Sequence, residues 1–158
     1  RDCLLSRGLG DVYKRQMKVS ARNVFKGRVS QVEEGSVNAE VVLSLEGGEQ
    51  LVAVVTLQSL RSLGIAPGTE ALALVKAPWV MLMTDAEGIR LSARNCLQGK
   101  VISVTDGAVN AEVVLELSGG SQVYSIVTRD AVTELGLAPG VSATAVIKAS
   151  HIILGVPA

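Results

Sequence analysis

Val, Leu, Ile and Ala recur at every second position along several short stretches of this chain, and most of those stretches end at a Gly-containing turn. NVFKGRVSQVEEG, beginning at Asn23, alternates and stops at Gly35, and VNAEVVLSL then runs into Gly47-Gly48 with QLVAVVT close behind. That order is a hairpin with a Gly-Gly turn signal. The period changes in TLQSLRSLGIAPG, where Leu57, Leu60 and Leu63 have helical spacing, Thr56 is the N-cap, Gly64 the stop and Pro67-Gly68 a turn. The spacing predicts one short helix. TEALALVKA returns to period two, and the apolar run WVMLM follows.

The same series is then written a second time. SARN occupies Ser20 to Asn23 and again Ser92 to Asn95, an offset of 72 residues. Without a gap, that offset carries Gly27 to Gly99, VNAEVVL at Val37 to Val109, Thr56 to Thr128, LGIAPG at Leu63 to LGLAPG at Leu135, and Lys76-Ala77 to Lys148-Ala149. In the second copy CLQGKVISVTDG is the alternating partner, TRDAVTELGLAPG the helix with Ala131, Val132 and Leu135 inward, and VSATAVIKA and HIILG the last pair. Each copy is four or five strands with one short helix before the final pair. The fold class is all-β, with one short helix per repeat, and the order suits two tandem five-stranded barrels of the OB type. Another small β-barrel or half of a sandwich is the alternative. The expected boundaries are 17–86 and 87–158, with the junction in the polar stretch near Thr84 to Arg90.

Residues 1–16, RDCLLSRGLGDVYKRQ, share no pattern with the repeats and precede Met17, which reads as a start. They lack the uninterrupted apolar centre and small-residue cleavage site of a secretory leader, so they are expected to be a non-native or disordered leader. Without them the chain holds 11 basic and 13 acidic residues.

Composition narrows the chemistry. The whole chain is 48% hydrophobic, which excludes disorder, and its 15 basic residues balance 15 acidic ones, which argues against a strongly basic nucleic-acid surface. One Phe, two Tyr and one Trp leave little to stack on bases. Cys3, Cys96 and His151 are too few and too scattered for a four-ligand zinc site, so no metal cation is expected. No apolar run approaches the roughly 18 to 20 residues of a membrane-spanning helix.

Several repeated polar residues remain once hydrophobic patterning is accounted for. Thr56 and Thr128 are explained by helix capping, Asn38 and Asn110 by the turn after Gly35 or Gly107, and Glu40 and Glu112 by a solvated strand face. SARN and the Lys-Ala pair are harder to dismiss. Each puts a cation beside small residues that let a ligand approach the backbone, with Ser and main-chain N–H groups as neutral donors. No general base or nucleophile with a partner is repeated, so no catalytic residue is assigned and no enzyme is expected. A donor-only set suits holding an anion.

SARN with a Gly after three further residues, G-x-V-N-A-E-V, the Gly-Gly hairpin, the capped helix ending in LG-x-APG and the final K-A resemble, in order and twice over, the molbindin (Mop) family. The likeness runs from Met17 to about Val156 and is to the tandem di-Mop proteins. It implies paired OB-like barrels that bind molybdate, and usually tungstate, for storage or homeostasis in the bacterial cytoplasm, with no catalytic cofactor. It further implies a homo-oligomer, a trimer of paired domains, with sites at interfaces and no nucleic-acid or membrane partner. Carried over by motif, Ser20, Ala21 and Arg22 would face Lys76 and Ala77 of another domain, and Ser92, Ala93 and Arg94 would face Lys148, Ala149 and Ser150. Thr56 and Thr128 would add donors, and a second class of site on the threefold axis would lie near Asn38, Ala39 and Glu40 and near Asn110, Ala111 and Glu112. One position departs from the pattern: Pro78 stands where the second copy has Ser150, and it offers neither hydroxyl nor N–H. The competing reading is a molybdate-sensing module acting on a transporter or transcription regulator, although the chain shows neither a helix-turn-helix nor a phosphate-binding Gly-rich loop.

Overall fold

The structure is a computed structural model and describes residues 19–85 and 87–158. The leader expected at 1–16 lies outside them. In the first repeat the strands are β1 (Asn23–Glu34), β2 (Asn38–Leu45), β3 (Gln50–Thr56), β4 (Glu70–Val75) and β5 (Met81–Met83), with helix α1 (Leu57–Leu63) between β3 and β4. The second repeat follows as β6 (Asn95–Asp106), β7 (Asn110–Leu117), β8 (Gln122–Thr128), helix α2 (Arg129–Leu135), β9 (Ser142–Ile147) and β10 (Ile153–Gly155). A single 3-10 turn, Ala77–Trp79 or Ala149–His151, precedes the last strand of each repeat.

Period-two alternation does what the sequence expects of it. In β2 every second residue from Ala39 to Leu45 is buried, and β7 buries Ala111, Val113, Leu115 and Leu117 in the same way. β1 and β6 are long enough to serve two neighbours, and each changes register once, between Val29 and Gln31 and between Val101 and Ser103. A bulge of this kind bends a strand and lets a small sheet curl on itself. Gly27 and Gly99 are repeated because the facing strand comes too close for a side chain. A Cβ at Gly99 would lie 2.6 Å from the Glu116 carbonyl oxygen. The result is two curled five-stranded antiparallel sheets, two tandem OB-like barrels each carrying a short helix.

The helices are capped as their sequences dictate. The Thr56 and Thr128 hydroxyls accept from the N–H groups of Ser59 and Ala131, both at 3.1 Å, and Gly64 and Gly136 close the helices with φ at 66°, a left-handed conformation. Their inward faces are thinner than the spacing suggests. Leu60 alone is buried in α1, Leu63 is exposed, and no residue of α2 is fully buried. Seven residues make barely two turns, so only Leu60 reaches the core while Leu57, Val132 and Leu135 pack against it part-buried.

The order of strands within the sheets holds the main departure from a bead-by-bead reading of the repeats. One sheet runs β10-β4-β1-β2-β3 and the other β5-β9-β6-β7-β8. The last strand of each repeat therefore belongs to the other repeat's sheet: Met81 to Met83 pair with Val146 to Thr144, and Ile153 to Gly155 pair with Leu74 to Leu72. WVMLM is thus a crossover, with Val80 buried and accepting a 2.6 Å hydrogen bond from the Ser125 hydroxyl of the second repeat. One continuous apolar cluster draws on both repeats.

Candidate functional site

The segments that carry the repeated cations sit where one repeat meets the other. β1 pairs with β4 from Asn23 opposite Val75, and β6 with β9 from Asn95 opposite Ile147. Residues 20–22 enter the sheet beside the place where Lys76 and Ala77 leave it, and residues 92–94 stand likewise beside Lys148 and Ala149. In the single chain the SAR and KA segments brought side by side thus belong to the same repeat.

What the other repeat contributes is the surface beneath them, and Asn of SARN makes that junction. Asn23 is buried; its Oδ1 accepts from the Tyr124 N–H at 2.7 Å and its Nδ2 donates to the Tyr124 carbonyl at 2.8 Å. Asn95 does the same at Val52, with both bonds at 2.8 Å, and also donates to the Ile147 carbonyl at 3.2 Å. A primary amide presents one donor and one acceptor side by side, the same pair a strand residue offers, so each Asn acts as a one-residue strand stitched to the other barrel. The 3-10 turns close the junction: Ala77–Trp79 packs on β8, and Ala149–His151 packs on β3. Trp79 and His151, equivalent positions in the two copies, meet with ring centroids 5.2 Å apart.

The remaining candidate residues take definite places around this junction. Ser20, Arg22, Ser92, Arg94, Lys76, Lys148 and Ser150 are exposed, whereas Ala77 and Ala149 are buried and Ala21 and Ala93 half-buried. Lys76 Nζ lies 5.6 Å from the centre of the Trp79 ring, a cation-π contact. Arg22 Nη2 is 3.2 Å from Glu112 Oε1, and its guanidinium lies 4.7 Å above the Tyr124 ring. In the reciprocal position Arg94 bonds to Glu40. Alternation does turn Glu40 and Glu112 away from the core, but the outward face there is covered by SAR of the other repeat, so they are paired and not simply solvated.

Apart from those two glutamates, the VNAE segments lie with the capping threonines. Asn38 lies opposite Thr56 and Asn110 opposite Thr128 in the β2–β3 and β7–β8 ladders, with Ala39 and Ala111 buried next to them. A groove of about 490 Å³ opens beside Thr128, lined by Asp106, Val109, Arg129 and Asp130 among others. It contains none of the SAR or KA residues. Among the described residues no group of three or more His, Cys, Asp or Glu stands together as a metal-ion site. No described helix is long and apolar enough to cross a membrane.

The role of Asn23 and Asn95 as clamps is not evident from sequence reasoning, which attends to the Ser, Ala and Arg before them. The available signal is that Asn is repeated immediately before an apolar strand, where a turn-forming or capping role is missing.

Two tandem OB-like barrels with their repeated cations beside the inter-repeat junction define a class of small duplicated β-barrel protein, and family comparison agrees with the duplication. Residues 19–82 and 91–154 each match the TOBE domain, and the chain belongs to that family as a tandem protein of two Mop-type copies. It is 44% identical over 151 residues to the molybdenum-pterin-binding protein MopA of Rhodobacter capsulatus, covering 96% of this chain and 57% of MopA. It is also 44% identical over 145 residues to the molybdenum transport protein ModE of Azotobacter vinelandii, covering 92% of this chain and 53% of ModE. The chain thus spans little more than half the length of these relatives. Among solved structures it matches the cytoplasmic molybdate-binding protein ModG in a form with molybdate bound. That match has a TM-score of 0.87 and 64% identity, over 89% of this chain and 100% of the ModG chain.

Proposed function

We propose that this protein binds molybdate, and tungstate by the same chemistry, as an intact oxyanion for storage and homeostasis of molybdenum in the cytoplasm. The observation that carries this reading is the meeting, twice in one chain, of SAR and KA segments at the inter-repeat junction, in a protein 64% identical to molybdate-bound ModG. Ser20, Ala21, Arg22, Lys76 and Ala77 would supply donors in one copy, and Ser92, Ala93, Arg94, Lys148, Ala149 and Ser150 in the other. Thr56 and Thr128 would supplement them, and a second class of site would lie near 38–40 and 110–112. The functional form on this reading is a homo-oligomer, a trimer of paired domains, that completes the sites at its interfaces. It has no catalytic role and no cofactor beyond the bound anion.

Charge and protonation support the choice of ligand. Molybdate is a fully ionised tetrahedral dianion at neutral pH, so the donors of the SAR and KA segments take it without needing a proton on the ligand, whereas phosphate carries a proton that wants an acceptor. Sulfate differs mainly by its smaller size, and a rigid junction discriminates by holding donors too far apart for it. Titration calorimetry of the chain from Met17 onward, repeated in a large excess of sulfate, tests the proposal. The expected result is tight molybdate binding that survives sulfate, with more than one anion per chain. No heat, and no molybdenum retained on dialysis, would overturn it.

The copies are expected to differ. Pro78 is exposed in the first turn of its 3-10 segment, where Ser150 stands in the second copy. Pro78→Ser restores a hydroxyl and an N–H, so it should raise anion occupancy or affinity in the first copy. Unchanged stoichiometry and affinity would remove the third residue from the site. A second reading, a molybdate-sensing module acting on a transporter or regulator, is favoured by the match to ModE, of which this chain covers 53%.

A further inference from the structure

The guanidinium that an oxyanion would use at each candidate site is already engaged by a carboxylate. Arg22 is held between Glu112, at 3.2 Å, and the face of Tyr124, at 4.7 Å to the ring centre, and Arg94 bonds to Glu40. In both cases the carboxylate comes from the other repeat, so the arrangement is reciprocal and occurs twice. It also joins two regions that sequence analysis treats as separate, since Glu40 and Glu112 belong to VNAE while Arg22 and Arg94 belong to SAR.

We propose that Glu40 and Glu112 are internal competitors of the oxyanion, each occupying the SAR arginine of the opposite repeat and lowering the site's affinity for a dianion. The inference rests on the anion-binding reading above and adds a regulator to it. The carboxylate imitates part of the ligand: an anionic oxygen accepting from one guanidinium nitrogen of each arginine. A tetrahedral dianion drawn to Arg22 must either share the guanidinium with Glu112 or displace it. Sharing places three negative charges around one cation, and displacement forfeits the ion pair. Both routes weaken binding. The side chains are roughly half-exposed on the arginine side and a third exposed on the glutamate side, and pairs so placed are held weakly enough for a ligand to break them. The device therefore attenuates affinity without closing the site. It also makes release easier, because a carboxylate stands ready to take the arginine as the anion leaves.

Glu40→Gln and Glu112→Gln, alone and together, test this in the full chain by molybdate titration at fixed low ionic strength. The glutamines keep size and hydrogen bonding and remove the charge. Each variant should bind molybdate about three- to tenfold more tightly at the affected site, with slower release, and the gain should shrink as salt is raised. Thermal unfolding run alongside establishes that the variants are folded. If the parent binds molybdate and folded variants bind it equally or more weakly, competition is overturned while the binding function stands. If neither parent nor variants bind, the functional reading falls and this inference falls with it. Glu112→Asp, which retains the charge on a shorter arm, should give a smaller gain than the glutamine, and an equal gain would also count against a charge effect.

Discussion

Asn95→Ala is expected to lower the unfolding free energy by about 2–4 kcal/mol, an unusually large loss for a side chain that is neither apolar nor charged. Asn95 is 2% exposed and makes three hydrogen bonds, two to the Val52 main chain and one to the Ile147 carbonyl. Truncation leaves the Val52 N–H and the Val52 and Ile147 carbonyl oxygens without the side-chain partner that serves them. The penalty is that of unsatisfied buried groups and exceeds the net worth of the bonds themselves. Asn95→Asp separates this explanation from simple loss of volume. The carboxylate keeps the shape and still accepts from Val52 N–H, but it sets an acceptor against the Val52 carbonyl and buries a charge. It should cost at least as much as alanine in urea unfolding. A neutral result for Asp would show that packing, not amide complementarity, joins the barrels. Asn23 faces Tyr124 through two equivalent bonds, so Asn23→Ala should behave similarly and slightly less severely.

Leu154→Asp is expected to damage the first barrel, although residue 154 lies in the second repeat. Leu154 is 8% exposed, in the strand that pairs with Leu72 to Leu74, and a carboxylate there must either lose its charge or pull the strand out of the sheet. The expected destabilisation is about 3 kcal/mol or more. Its location is the sharper reading. Hydrogen exchange should show amide protection falling first along β4, residues 70–75, while β9 of the same repeat as the substitution stays comparatively protected. Loss centred on β9 instead would mean that each repeat keeps its own last strand, contrary to the exchange. The outcome also bears on function, because Lys76 and Ala77 follow β4 directly, and fraying of that strand should loosen the first candidate site before the second.

These two expectations show how legible the molecule was. Local features were readable because their causes are local. Alternation in VNAEVVL specifies a strand with one buried face, Thr56 and Thr128 specify helix starts through their own hydroxyls, and Gly64 and Gly136 adopt a left-handed conformation within one turn of the residues that require it. The 72-residue repeat, the all-β class and the two barrels follow from such signals. So does the donor-only character of the SAR and KA segments themselves, since residue type alone states what they can offer, whereas the carboxylates that meet them came from the fold. The helical leucines carry a weaker signal. Leu60 is buried and Leu57 packs against the core as the spacing expects, but Leu63 is exposed because a helix of seven residues has little barrel to face at its far end.

Partner choice was decided by tertiary structure. An edge strand presents the same N–H and C=O groups to any neighbour, so nothing in Met81 to Met83 or Ile153 to Gly155 states which sheet they join; the direction of the preceding 3-10 turn and the burial of Val80 and Ile152 settle it. The same holds for Asn23, whose amide can cap, turn or clamp, and for Glu112, whose outward position implies solvent only until Arg22 of the other repeat arrives over it. Sequence by itself determined the elements, the duplication and the chemistry on offer, because those depend on neighbours a few bonds away. Only the folded chain determined the exchange of strands, the Asn clamps and the Arg–Glu pairs. Those contacts join residues from 43 to 101 positions apart, and their energy exists only once both barrels are in place.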